Sequence, residues 1–197
     1  MNIPIKKITF IAASLTIAAS VGMDAHAATT VGFSNITPST SLPAEGGYPL
    51  SEIVDGVTGS IANGFVSNNV GVITFTFDQD YDLSSFILWN DVNVNAEGID
   101  DFQLRFYDST NSQITVPFST DYVGPLGQVA PEEYVFISGV SNVRRVDLEV
   151  LTTQFNFAGP VPRIEIREVD FGVVPEPSSI LLLGVSSIAF MLRHSRK

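Results

Sequence analysis

Hydrophobic and polar positions alternate with a period of two along the middle of the chain. Ile73, Phe75 and Phe77 alternate with Thr74 and Thr76. Phe102, Leu104 and Phe106 alternate with Gln103, Arg105 and Tyr107. Val146, Leu148 and Val150 alternate with Arg145, Asp147 and Glu149. A period of two puts one set on each face of a strand. Phe86–Asp91, Gln113–Ser119 and Glu133–Ser138 read as further strands. Turn-forming clusters such as Gly124-Pro125-Leu126-Gly127 and Gly159-Pro160 separate them. No long amphipathic helix and no internal repeat is present. Many short strands with one buried face each predict an all-β protein, an antiparallel β-sandwich or jelly roll.

The last strand breaks its own rhythm. Ile164 and Ile166 share one parity, Val169 and Phe171 the other. The switch predicts a β-bulge near Arg167-Glu168 that re-aims Glu168.

The two ends follow other patterns. Lys6 and Lys7 precede an apolar, Ala-rich run from Ile8 to about Met23, and Ala25-His26-Ala27 supplies a small-x-small exit. That order predicts a secretory signal peptide over residues 1–27, removed by signal peptidase after Ala27. At the other end Val174-Pro175-Glu176-Pro177 leads into an apolar stretch, Ile180 to Leu192, and a basic tail holding Arg193, Arg196 and Lys197. Thirteen helical residues cover roughly 20 Å, against a hydrocarbon core of about 30 Å. A transmembrane helix over 179–192 would therefore be a marginal anchor, with its basic tail on the cytoplasmic side. The domain plan is a signal peptide (1–27), an ectodomain (28–173) and a C-terminal sorting segment (174–197).

Charge and composition narrow the function classes. The chain has 197 residues, no cysteine and a formal net charge of -11. Residues 28–173 hold 19 acidic residues, five arginines and no lysine, a net charge of -14. Such a surface repels phosphate, which excludes nucleic acid as a partner, and favours cations. Without Cys no disulfide framework or thiol catalysis is possible. Both histidines, His26 and His194, lie in the end segments. The ectodomain therefore lacks the base of a Ser-His-Asp or Cys-His nucleophile, and no enzyme activity is expected. The acidic pairs Asp100-Asp101 and Glu132-Glu133 carry nothing that fixes the carboxylate spacing glycoside hydrolysis needs. Asp78-Gln79-Asp80-Tyr81-Asp82 alternates carboxylates as a Ca²⁺ loop does. Its sixth and twelfth positions are Leu83 and Trp89, where Gly and Glu are required, so it reads as an acidic loop between strands.

Two resemblances add to this reading. Pro175-Glu176-Pro177, the short apolar helix and the basic cluster resemble the PEP-CTERM sorting signal of Gram-negative bacteria and cyanobacteria. The resemblance implies an exosortase as processing partner, transient inner-membrane anchoring, and a final place at the cell surface or outside the cell. It also implies species that make extracellular polysaccharide. Leu50-Ser51-Glu52-Ile53-Val54-Asp55-Gly56, Val72–Asp78, Ser84–Asn90, Phe102–Ser109, Val143–Val150 and Ile166-Arg167-Glu168-Val169-Asp170-Phe171 follow the segment order of discoidin-type, galactose-binding-like sandwiches. Gly64-Phe65-Val66-Ser67 departs from that pattern, with Phe65 where the family usually has Trp.

The second resemblance implies a carbohydrate-binding module and, in many such domains, a structural Ca²⁺ where the Asp-Gly loop meets the final Glu. Carried over, that nominates Asp55 and Glu168, with Thr58 or Ser60 and loop carbonyls completing an oxygen shell. Ca²⁺ takes six to eight hard oxygens from irregular loops. The alternative is that Asp55 only starts a turn with Gly56 while Glu168 pairs with an arginine. For stacking on sugar, Tyr48 and Tyr122 are the loop aromatics, whereas Trp89 lies in an apolar strand and is expected in the core. Two functions follow as expectations. One is a non-enzymatic binder of extracellular polysaccharide; the other is a structural protein of the extracellular matrix without a sugar site.

Overall fold

The computed structural model describes residues 29–59, 64–90, 98–122, 130–154 and 163–175. Seven strands form: β1 Ile36–Thr40, β2 Phe65–Ser67, β3 Val72–Asn90, β4 Phe102–Tyr107, β5 Phe118–Thr120, β6 Glu132–Val150 and β7 Ile164–Val173. Every pairing is antiparallel. The hydrogen-bonded order is β2-β7-β3-β6-β4-β5, with β1 added to β3. The all-β antiparallel expectation holds. The signal-peptide and sorting-helix assignments, together with Ser60, Glu176, Pro177, Arg193, Arg196 and Lys197, lie outside the described residues. Among the described residues no helix is long and apolar enough to cross a membrane.

Two layers arise from two long strands rather than many short ones. β3 and β6 each run for 19 residues. The first half of β3 pairs with β1 and with the end of β6, as at Phe75↔Val146. Its second half pairs with the start of β6 and with β7, as at Phe86↔Phe171. Register shifts between Thr76 and Ser85 mark where the ribbon turns from one layer into the other. On β6 the turn uses two residues with positive φ, Gly139 and Asn142. Asp78–Asp82, expected as a loop, is thus the bend inside β3.

One more strand expectation changes, and one strand is new. Gln113–Ser119 shrinks to Phe118–Thr120, because Pro117 cannot donate to a ladder. β1 was not legible, since Ile36-Thr37-Pro38-Ser39-Thr40 has one apolar residue and a proline. It sits at a sheet edge, the place a strand tolerates proline.

The core is aromatic. Phe171 of β7 packs on Phe75 and Phe77 of the other layer, with ring centroids 5.6 and 5.2 Å apart. Phe86 meets Phe102 at 5.6 Å, again across the layers. Tilted and edge-on contacts of this kind add to plain burial. Phe65 is fully buried and serves this core.

The predicted bulge is present. Trp89 pairs with Glu168 and Asn90 with Ile166, leaving Arg167 as the extra residue. Ile164, Ile166, Val169 and Phe171 thereby all join the core despite their split parity. The outer face of β7 is buried as well, under the 3-10 turn Leu50–Val54 and the loop after it, while residues 29–31 pair along its edge.

The register also assigns the two ends of the sandwich. The bend of β3, Asn142, Thr29 and Val174 lie together at one end: Val174 N–H donates to the Asp82 carbonyl and Val173 N–H to that of Thr29, both at 2.8 Å. The strand ends near Gly71, Asp100, Tyr122, Val150 and Arg163 lie at the other.

Candidate cation and ligand site

The Asp55-Gly56 loop and Glu168 are brought together, as the sequence suggested. Gly56 has φ 85°, a conformation glycine adopts without strain. Its N–H points at Glu168 Oε1, 3.3 Å away. Asp55 Oδ1 accepts the Val57 N–H at 2.8 Å, which fixes the turn. Phe33 closes over Gly56, where a Cβ would come within 3.3 Å of its ring. Glu168 itself has no exposed surface.

The electrostatics of this pair are unusual. Burial is the main cause that pushes the Glu168 carboxyl from an ordinary 4.5 up to about 8. The Gly56 N–H opposes this, and the charges of Asp55 and Asp170 reinforce it. Glu168 Oε2 is buried with no hydrogen-bond donor. A buried carboxylate oxygen facing another carboxylate needs either a proton or a cation between them. The donor set, hard oxygens only, suits Ca²⁺ and not a softer metal.

The remaining nominated ligands divide. Thr58 is close, but its carbonyl accepts Arg167 Nη1 at 3.3 Å, so that oxygen is already engaged. Among the described residues no cluster of three or more carboxylate or histidine side chains is arranged around a metal. Any cation here would rest on Asp55, Glu168 and loop carbonyls.

The aromatic candidates land differently from expectation. Trp89 is not in the core. It is half-buried on the outer face of β3, with its ring centroid 6.2 Å from that of Phe33. Its parity follows the strand, but that strand has a covering segment on its outer side too. Tyr122 is a loop residue by sequence, yet it packs partly against the core, its N–H bonded to the Asp100 carbonyl at 3.0 Å. Tyr48 is half-buried in the turn closed by its own N–H and the Glu45 carbonyl. Both tyrosines lie at the end away from Thr29 and Val174. Strand order puts them on opposite flanks of it, Tyr48 toward β1 and β2, Tyr122 beyond β5.

This end also gathers charge that the sequence did not group. Asp100 is held above the usual carboxylate range by burial and by Asp101. Asp121 is raised by its contact with Asp101, 20 residues away in sequence. On the other flank Arg163 Nε lies 3.3 Å from Glu45 Oε2. No local signal pointed to either grouping, because each joins loops distant in the chain.

The comparisons fit this geometry. Residues 173–197 match the PEP-CTERM protein-sorting motif. The fold is similar to the family 32 carbohydrate-binding module of C. perfringens NanJ, solved in complex with galactose. The TM-score is 0.55 at 15% identity, covering 73% of this chain and 97% of that one. It is similar also to an F5/8 type C domain from Bacteroides fragilis, with TM-score 0.59 at 14% identity and coverage of 73% and 94%. The family 32 module of Streptococcus pneumoniae EndoD gives 0.53 at 15%, covering 74% and 100%. At these identities the likeness is one of fold. No curated protein sequence matches the chain. The chain thus joins a discoidin-like β-sandwich to a PEP-CTERM sorting motif.

Proposed function

We infer that the protein is exported, sorted through its C-terminal motif, and binds extracellular carbohydrate without catalysis. Signal peptidase removes residues 1–27, residues 174–197 hold the chain briefly in the inner membrane, and an exosortase acts at Pro175-Glu176-Pro177. The observation that carries the binding role is the end of the sandwich away from Thr29 and Val174. Tyr48, Tyr122, Arg163 and the Asp100–Asp101–Asp121 group all lie at that end, on a fold shared with a galactose-bound module. Aromatic faces stack on sugar rings, and carboxylates and guanidinium groups bind hydroxyls. Ca²⁺ at Asp55 and Glu168 braces the loop that covers β7. Support for the cation comes from the unpaired, buried Glu168 Oε2.

A glycan array probed with the exported chain, with Ca²⁺ and with a chelator, tests both parts. Galactose-containing glycans are the first expected hits. Tyr48→Ala should weaken them about tenfold, the loss of one stacking contact. Ca²⁺ should raise the melting temperature. An array blank in both conditions overturns the binding role, and an unchanged melting temperature overturns the cation.

One set of observations favours a second reading, a structural matrix protein without a sugar pocket. Tyr122 is packed into the fold, Tyr48 sits on the other flank, and Asp100, Asp101 and Asp121 gather on the Tyr122 side. A blank array with retention in the extracellular matrix would select it.

A further inference from the structure

An apolar groove of about 290 Å³ lies between β5 and the first half of β6, lined by Phe106, Val116, Phe118, Val135, Ile137 and Gly139. Phe136 forms its floor, with ring centroids 5.2 Å from Phe106 and 5.4 Å from Phe118. Its rim is exposed aliphatic surface: Val116 at 81%, Val135 at 63% and Ile137 at 102%. Adjacent exposed aliphatics on an otherwise acidic domain mark an interaction surface. The edge of β6 from Glu132 to Ser138 is also unpaired on this side among the described residues, since β4 pairs only with Arg145–Val150.

The last described residues lie beside this groove. Val174 lies against Gly139, the end of this groove, where a Cβ on the glycine would come within 3.4 Å of the valine's Cγ2. Five residues, Pro175 to Ser179, then separate the fold from Ile180. They span at most about 17 Å. The apolar stretch Ile180–Leu192 is about 20 Å long as a helix. The strand from Ser138 back to Glu132 is also about 20 Å. Leu181, Val185, Ile188 and Leu192 recur at i, i+4, i+7 and i+11, one face of such a helix. A stretch that begins at Gly139 and follows the groove brings Arg193, Arg196 and Lys197 to Glu132 and Glu133. Length, hydrophobicity and charge all match.

We propose that this groove is a docking site for the chain's own apolar sorting stretch, Ile180–Leu192, whenever that stretch is out of the bilayer. The domain then shields its anchor from water until the membrane takes it, and the two sites compete for one segment. The proposal rests on the sorting motif and not on glycan recognition, so a blank array leaves it standing.

The absence of cysteine makes the test clean. In the full chain, Ile137→Cys with Leu181→Cys should form a disulfide at monomer mass in detergent-free buffer under mild oxidation. Ile137→Cys with Leu192→Cys should form far less, and phospholipid vesicles should suppress the first bond. No bond, equal yields from both pairs, or a bond only between two chains overturns the proposal. A second measurement avoids cysteine. Val116→Asp with Ile137→Asp changes only exposed rim positions, so the fold should persist by circular dichroism. Losing two apolar contacts should then raise partition of the full chain onto vesicles about tenfold. Unchanged partition overturns the proposal.

Discussion

Glu168 concentrates the tension of the site in one side chain. Its carboxyl is neutral at pH 7 in the metal-free protein, because burial and two nearby carboxylates raise it to about 8. The sign for stability follows. Between about 4.5 and 8 the folded chain holds a proton at Glu168 that the unfolded chain has lost. The contribution is therefore complete below about 4.5 and gone once pH has risen past about 8. In chelator, the melting temperature of the wild-type protein should fall over that window, and Glu168→Gln should flatten that part of the fall. Added Ca²⁺ should remove it in the wild type alone. Equal pH curves for wild type and Glu168→Gln in chelator would show that the carboxyl does not titrate there. Gly64 makes a complementary point. At φ 134° a Cβ would sit 2.6 Å from the Ile166 carbonyl, so this glycine is what lets β2 lie against β7.

Among the elements, β7 has the most to reconcile. It is central in its layer, buried on both faces, and carries four charged residues, Glu165, Arg167, Glu168 and Asp170. The bulge at Arg167 lets its apolar residues reach the core while Glu168 turns to the Asp55 loop. Asp170 is satisfied locally, accepting the Gly32 and Phe171 N–H groups at 3.2 and 2.8 Å. Phe171, in ring contact with Phe75, Phe77 and Phe86, ties both layers to this strand. Phe171→Ala should destabilise the fold by about 3–5 kcal/mol, the range for removing a buried aromatic ring. Urea unfolding measures it, and a cost below about 1 kcal/mol would mean that the cluster relaxes around the void.

At the scale of the molecule the two ends have separate roles. Both outward connections leave from one end, beside Asp82 and Asn142, and the candidate ligand loops gather at the other. An anchor in the C-terminal segment would leave these loops pointing away from the point of attachment. The net charge of -14 on residues 28–173 acts on the whole domain. Self-repulsion of this size destabilises a compact state and is screened by salt. Raising NaCl from low to moderate concentration in chelator should therefore raise the melting temperature. The gain is about 2–4 °C for each kcal/mol of repulsion relieved. A flat or falling response would mean that local ion pairs such as Arg163–Glu45 outweigh the net field.

The sequence by itself determined whatever is written in local order. Alternation specified strands and their buried faces, the parity switch after Ile166 specified the bulge, and the three-part tail specified sorting. Each of these is a short-range pattern, because side-chain direction along a strand is fixed by position alone. Only the tertiary structure decided that Asp78–Asp82 is a bend inside one strand, that Trp89 faces Phe33 rather than the core, and that Tyr122 packs inward. It alone set Asp121 against Asp101 and the chain's exit against Gly139. Those outcomes depend on what covers a residue's far side, and the covering segments come from distant parts of the chain, placed by antiparallel register and not by anything adjacent in sequence.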